Sequence, residues 1–233
     1  MSVAAHAKVP DLPEKITAEN FDALYFQVVS QHQSIIDKTP QALLQKFKHA
    51  RGAHHYRFNK DETQLKKDFL KLQQQKYDLD PIAHLRNDLK SLYLKHEKLS
   101  AEKENSLHAE ATFLAVNLFD ETRRLKKAYK LVPLPIVHNG LINFGIRKRG
   151  ACKHWAEDIL TFLQPLKREY FSVTWGEAYP GTMLEHNVAV IMPKDKSFDD
   201  GMLFDPWRTG GKPFWVKVND DPHYDWKPWD GWY

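Results

Sequence analysis

Residues 150–164 read GACKHWAEDILTFLQ. Apolar side chains recur in this stretch at helical spacing and share one face: Cys152, Trp155, Ala156, Ile159, Leu160 and Leu163. Pro165 ends the pattern, which predicts an amphipathic helix over 151–164 that packs on a core. Cys152 is the single cysteine of the chain. The helix therefore begins with either a small buried hydrophobe or a reactive thiol.

The segments that follow this helix predict β-strands. They are short apolar runs separated by turn residues, and they cover 170–175, 187–192, 202–204 and 214–218. A helix followed by strands that are joined by tight turns is typical of an α+β protein with an antiparallel sheet.

The first 130 residues have a different composition. Apolar periodicity predicts helices over 18–36, around 65–72, from Pro81 to about 99, and over 100–129. This part carries 22 basic and 17 acidic residues, the remainder 12 and 13, and all seven tryptophans lie after residue 150. We therefore expect a helical region over 1–130 and a second domain over 131–233.

Composition excludes several classes of protein. With 42% hydrophobic and 27% charged residues the chain is globular, and its net charge of +4 gives no strong field for nucleic acid. It has no apolar run of membrane-spanning length, and one cysteine permits no disulfide within the chain. Met1 to Pro10 lack a signal-peptide core. A native start at Met1 predicts a cytoplasmic protein, whereas a removed export signal would predict the cell envelope.

Two features favour a reactive thiol at Cys152. Gly150 precedes the helix, which places Cys152 in the first turn, where unpaired N–H groups and the helix dipole stabilise a thiolate. The basic residues at 147–149 and Lys153 add positive potential nearby.

A base and an acid follow downstream. His186 opens one predicted strand and Asp205 follows another, 34 and then 19 residues along the chain. Neighbouring antiparallel strands would hold the two side by side. A thiol needs a base to take its proton, and an acid fixes the imidazole and stabilises its charged form.

These residues resemble the transglutaminase-like branch of the papain-like cysteine enzymes. The resemblance covers roughly 135–215 and lies in Gly-x-Cys-x-x-x-Ala at Gly150, Cys152 and Ala156, then in strand-borne His186 and in Asp205-Pro206. It implies a Cys152-His186-Asp205 triad, with the nucleophile helix packed on an antiparallel sheet. It also implies acyl transfer at carboxamides through a thioester.

The sequence departs from papain-type enzymes at one position. Ile146 stands where those enzymes place a glutamine, six residues before the nucleophile. This difference favours the transglutaminase-like branch and leaves the oxyanion hole to the backbone N–H of Cys152 and one further donor. Asn139 and Asn143 are candidates for that donor, and Trp207 is a candidate for the cleft wall.

The sequence thus predicts a peptide or amide hydrolase or a deamidase, with transglutaminase activity less favoured because nothing indicates an amine acceptor. The substrate would be a protein or peptide, no cofactor or metal is needed, and the N-terminal helices are a candidate surface for a protein partner. Two alternatives stay open: a non-catalytic scaffold of the same fold, and a cell-wall peptide amidase. The aromatic tail over 224–233 is expected to pack back on this domain or to cover the cleft.

Overall fold

The computed structural model describes residues 9–49, 56–132 and 134–231. The chain divides into two compact units, Met1–His84 and Leu85–Tyr233. This division lies inside a helix, whereas composition predicts a boundary at 130/131. Across the described ranges, no helix combines the length and apolarity needed to cross a membrane.

The first unit is helical. It contains α1 (Ala18–Lys38), α2 (Gln41–His49) and most of α3 (Lys60–Leu94). The predicted helix over 18–36 is confirmed as α1. Apolar residues from each helix are buried in this unit, and the rings of Phe47 on α2 and Phe69 on α3 lie 5.9 Å apart.

Pro81 does not open a helix, because α3 runs through it without a break. The prediction of separate helices around 65–72 and from Pro81 onward was therefore wrong. Proline removes one backbone hydrogen bond inside a helix. Leu79 and Ile82 on either side of it are almost fully buried, and this burial of apolar surface offsets the lost bond.

The second unit combines helices with a sheet. Its elements after α3 are α4 (Ala101–Ala128), α5 (Pro135–Asn143), α6 (Cys152–Leu163), β1 (Phe171–Ala178), β2 (His186–Pro193), β3 (Met202–Phe204), β4 (Trp215–Lys217) and β5 (Lys227–Pro228). The strands lie in the order β4-β3-β2-β1-β5, and every neighbouring pair is antiparallel. The α+β class is confirmed.

Residues 135–143 form a helix, although the turn formers Asn139 and Gly140 in this segment favour a loop. Pro135 occupies the first turn of α5, where its fixed φ and missing N–H are tolerated. His138 is fully buried on this helix. The turn formers Asn139 and Gly140 therefore lie on α5, because one buried side chain ties this short segment to the core.

Helix α6 packs on β1 and β2 and against α4. All six residues of its predicted apolar face are buried. β2 is the central strand and is buried along most of its length, as expected for a strand with neighbours on both sides. This packing places the start of α6 near the start of β2.

The aromatic tail packs back on the sheet. β5 pairs with β1, the N–H of Trp229 donates to the carbonyl of Trp175 (3.0 Å), and Trp226 is buried. For residues 224–231 this confirms the expectation that the tail folds onto the domain, and it adds an edge strand that the sequence does not predict; residues 232 and 233 lie outside the described ranges.

Candidate active site

His186 and Asp205 form a buried pair. Nε2 of His186 donates a hydrogen bond to Oδ2 of Asp205 over 2.7 Å, and each side chain is about 1% exposed. His186 opens β2, and Asp205 directly follows β3, the neighbouring antiparallel strand. The sheet register thus brings together two residues that lie 19 positions apart.

Cys152 lies beside this pair. It is the first residue of α6 and is 9% exposed. Its Sγ lies 3.9 Å from the carbonyl oxygen of Glu185, the residue before His186. Nδ1 of His186 is buried and has no hydrogen-bond partner among the described residues. Because Asp205 uses Nε2, Nδ1 is the nitrogen available to the thiol.

The surroundings favour a charged imidazole at position 186. Burial alone would lower the pKa of His186, but the hydrogen bond to Asp205 and the interaction with Cys152 raise this pKa to about 9. At neutral pH the ring therefore carries the proton. An imidazolium next to the start of a helix stabilises a thiolate there.

Three aromatic rings surround His186. The ring centroids of Trp207, Tyr224 and Trp226 lie 4.7, 4.8 and 5.4 Å from its own. Two of these rings come from the C-terminal tail, which is thus part of the site. The rings exclude water from the imidazole and offer their faces to its positive charge.

Asp205 is held by a second ion pair. Nε of Arg208 donates to Oδ2 of Asp205 (2.9 Å), and its backbone N–H donates to Oδ1 (3.2 Å). The two terminal nitrogens of Arg208 bind both carboxylate oxygens of Asp221, at 2.7 and 3.1 Å. Asp221 also accepts a hydrogen bond from the indole of Trp226 (2.8 Å). The tail therefore fixes the guanidinium that orients Asp205.

The residues Arg208 and Asp221 lie in irregular segments, 13 positions apart. The sequence gives no pattern that pairs Arg208 with Asp221, because neither residue stands in a periodic segment. The one sequence feature that could have indicated this ion pair is a basic residue, Arg208, three positions after Asp205.

A cleft of about 420 Å³ lies at the first turn of α6, and its lining includes neighbours of Cys152 and His186 but not these two residues themselves. Lys153 and His154 from the first turn of α6 line it, as do Glu185 and Asn187, which flank His186. The remaining lining residues are Arg149, Glu157, Trp175 and Trp229. Its volume lies within the range of small-molecule sites.

The residues predicted for the oxyanion hole and the cleft wall lie on different parts of the domain. Oδ1 of Asn139 on α5 accepts a hydrogen bond from the indole of Trp207 (3.3 Å), and this indole also packs on His186. Asn139 is thus linked to the site through Trp207. Asn143 ends α5 and is exposed to solvent.

The turn before the nucleophile depends on His138. Its Nδ1 accepts from the N–H of Val132 (3.2 Å), and its Nε2 donates to the carbonyl oxygen of Arg149 (3.0 Å). Gly150 follows with φ +119, a region that side-chain-bearing residues rarely adopt, and its α-carbon faces the His138 ring. Together these two residues set where α6 begins.

His154 caps the same turn. Its Nδ1 accepts hydrogen bonds from the N–H groups of Gly150 (3.1 Å) and Ala151 (3.2 Å). These bonds occupy its acceptor nitrogen, so His154 has a structural role in this turn. Burial, with the positive charges of Arg149 and Lys153, lowers the pKa of His154.

Acid should therefore weaken the start of α6. A lowered pKa in the folded state means that the stabilisation by neutral His154 is present above pH 6.5 and is lost as pH falls through the lowered value. We expect His154→Asn to keep an acceptor and to remove this step below pH 6.5, whereas His154→Ala destabilises the domain by about 1 kcal/mol above pH 6.5 and by less as the pH falls. Urea unfolding between pH 5 and 7.5 measures both. Identical pH profiles for wild type and His154→Asn would contradict this role.

Comparison with known proteins gives no match to a family model, to a curated protein or to a solved structure.

Proposed function

We propose that this protein is a cysteine-dependent enzyme of the transglutaminase-like, papain-like kind that acts on carboxamides. The observation that carries the proposal is the buried His186–Asp205 pair, whose second imidazole nitrogen has no hydrogen-bond partner among the residues that the structure describes and is available to Cys152 at the start of α6. Nucleophile, base and acid are the three groups that covalent acyl transfer by a thiol requires.

The reaction begins with the thiol proton on His186. The Cys152 thiolate attacks the carboxamide carbon and forms a tetrahedral oxyanion. The backbone N–H of Cys152, in the first turn of α6, has no acceptor within the helix and is placed to donate to that oxygen. His186 then gives its proton to the departing nitrogen, and a thioester and an amine or ammonia result.

Water completes the cycle. His186, now neutral, takes a proton from a water molecule whose oxygen attacks the thioester carbonyl. The C–S bond breaks, the carboxylic acid leaves, and the Cys152 thiolate is regenerated beside protonated His186. Asp205 keeps the imidazole oriented and stabilises its charged form in both steps. We favour hydrolysis of a protein or peptide substrate over transfer to an amine.

Alkylation of Cys152 tests this proposal. We expect iodoacetamide to label the wild-type thiol at pH 6 faster than it labels the His186→Ala variant, by about one to two orders of magnitude, because an ordinary thiol is almost fully protonated there. Mass spectrometry follows the rate on the folded chain, and since Cys152 is the single cysteine, no other thiol interferes. His186→Gln provides a second variant of similar volume.

A non-catalytic scaffold would behave differently. Its thiol would label slowly at pH 6, the rate would rise near pH 8.5 as for an ordinary cysteine, and loss of His186 would leave the profile unchanged. That result would overturn the proposal. Incubation of wild type and Cys152→Ala with protein-derived peptide amides and with cell-wall peptides, followed by detection of released amine, then separates the two substrate classes.

A further inference from the structure

A second cavity lies on the other side of the segment that leads to Cys152. It measures about 600 Å³ and is bounded by the C-terminal end of α4, by residues 146–149 and by Asp158 of α6. Five of its ten lining residues are basic and one is acidic: Arg124, Lys130, Arg147, Lys148 and Arg149 against Asp158. We call it the basic cavity.

The one carboxylate of the basic cavity is already occupied. Asp158 accepts a hydrogen bond from the Tyr129 hydroxyl (2.5 Å) and from two nitrogens of Arg149, at 2.7 and 3.2 Å. Arg149 also binds Glu157 outside the cavity lining (2.6 Å). These contacts balance the charges of Arg149 and Asp158 internally.

Three cations of the basic cavity lack such compensation. Arg124 binds Glu121 on its own helix. Lys130, Arg147 and Lys148, by contrast, have no carboxylate partner within the described ranges.

The guanidinium of Arg147 has a nitrogen without a hydrogen-bond partner among the described residues. Its Nε is buried and has no hydrogen-bond partner in the described part of the chain, while Nη1 donates to the carbonyl of Ile146 (3.3 Å). Buried polar groups are nearly always bonded, and an unbonded guanidinium nitrogen costs free energy. Nε has almost no accessible surface, so an anion in the cavity would supply the missing acceptor once the guanidinium turns toward it.

We propose that the basic cavity binds a small molecule carrying one or two phosphate groups. The planar guanidinium matches the oxygens of a phosphate, and Lys130 and Lys148 add point charges around it. The cations converge on one cavity instead of forming a stripe along the surface, which favours a compact ligand over a nucleic acid. The volume fits a ligand of that size. The proposal is independent of the chemistry at Cys152.

Titration with inorganic phosphate and pyrophosphate tests the site. We expect saturable one-to-one binding by calorimetry at constant ionic strength, with pyrophosphate the tighter ligand. Amide NMR shifts should concentrate at residues 124–130 and 146–149. Arg147→Ala should weaken binding by about tenfold or more. Charge reversal in Lys148→Glu, at an exposed position, should do the same if Arg147→Ala fails to fold.

Lys127→Ala is the matched control. Lys127 lies on the last turn of α4, is exposed and does not line the cavity, so its loss should change affinity by less than about twofold. Non-saturable binding, or equal losses in Lys127→Ala and Lys148→Glu, would overturn the proposal. Binding of a single-stranded RNA oligonucleotide but not of pyrophosphate would also overturn it, in favour of a nucleic-acid surface.

Discussion

Asp205→Asn is expected to lower the pKa of His186 from about 9 by about 1–3 pH units. Asparagine keeps the size of the side chain but removes the negative charge that favours imidazolium. The burial that disfavours the charged ring stays in place. Arg208 still has Asp221 as a partner, so the variant leaves no unpaired guanidinium. NMR titration of ring-labelled histidine, with the His186 signal assigned from His186→Gln, measures the change directly.

The same substitution should change how stability depends on pH. Since the pKa of His186 is raised on folding, its stabilisation is complete below pH 6.5 and is lost as pH rises through about 9. The difference between the folded and unfolded pKa of His186 corresponds to a loss of about 3 kcal/mol in the free energy of unfolding of the wild-type protein. Asp205→Asn should reduce this loss in proportion to the lowered pKa. Alkylation of Cys152 at pH 6 should slow by about tenfold or more.

Asp220→Asn serves as the control for Asp205→Asn. Asp220 is exposed and its contact with Lys217 is long, at 3.8 Å, so its replacement should leave the titration of His186 and the alkylation rate unchanged. A His186 titration that is the same in wild type and Asp205→Asn would show that the buried pair does not set the charge of the ring.

Gly150→Ala is expected to destabilise the second unit by about 2–5 kcal/mol. Alanine is strained at φ +119, and its β-carbon would overlap Nε2 and Cδ2 of His138. The ring has no room to retreat, because it is fully buried and both of its nitrogens are bonded to the backbone. Urea unfolding at pH 7 measures the loss of free energy.

Two other glycines separate the causes of this effect. Gly145 has φ +72 but open space around it, so Gly145→Ala should show the strain alone, about 1 kcal/mol. Gly140 lies within α5 with no atom near its β-carbon position, and alanine there should be neutral or stabilising by up to about 1 kcal/mol. Equal losses in Gly150→Ala and Gly145→Ala would contradict the overlap with His138.

Local patterns in the sequence predict α1, α4, α6 and the first three strands closely. Their apolar residues repeat at helical or strand spacing, and Ser100 accepts a hydrogen bond from the N–H of Lys103 at the start of α4, as its position predicts. The positions of Cys152, His186 and Asp205 are also predicted from the sequence. Each residue begins or directly follows a periodic segment, where side chains of different elements meet. Their catalytic roles stay predictions.

Other features depend on contacts that no local pattern records. Helix α5 is stabilised by one buried histidine, and Arg208 and Asp221 meet through irregular segments. Composition separates 1–130 from 131–233, yet α4 packs on α6 and belongs to the compact unit Leu85–Tyr233. The polar residues on the outer face of a helix do not show whether its buried face packs on other helices or on a sheet. Composition therefore does not separate α4 from the helices before it.

The order of these groups along the chain has a consequence during synthesis. Cys152 is made first, His186 and Asp205 follow, and Asp221, Tyr224 and Trp226 come last. Until the ribosome has released residue 226, a nascent chain holds the thiol without the groups that orient its acid partner. On the proposed function, Cys152 should therefore gain its full reactivity only when the rest of the domain has folded around it, which would keep a half-made chain from reacting early.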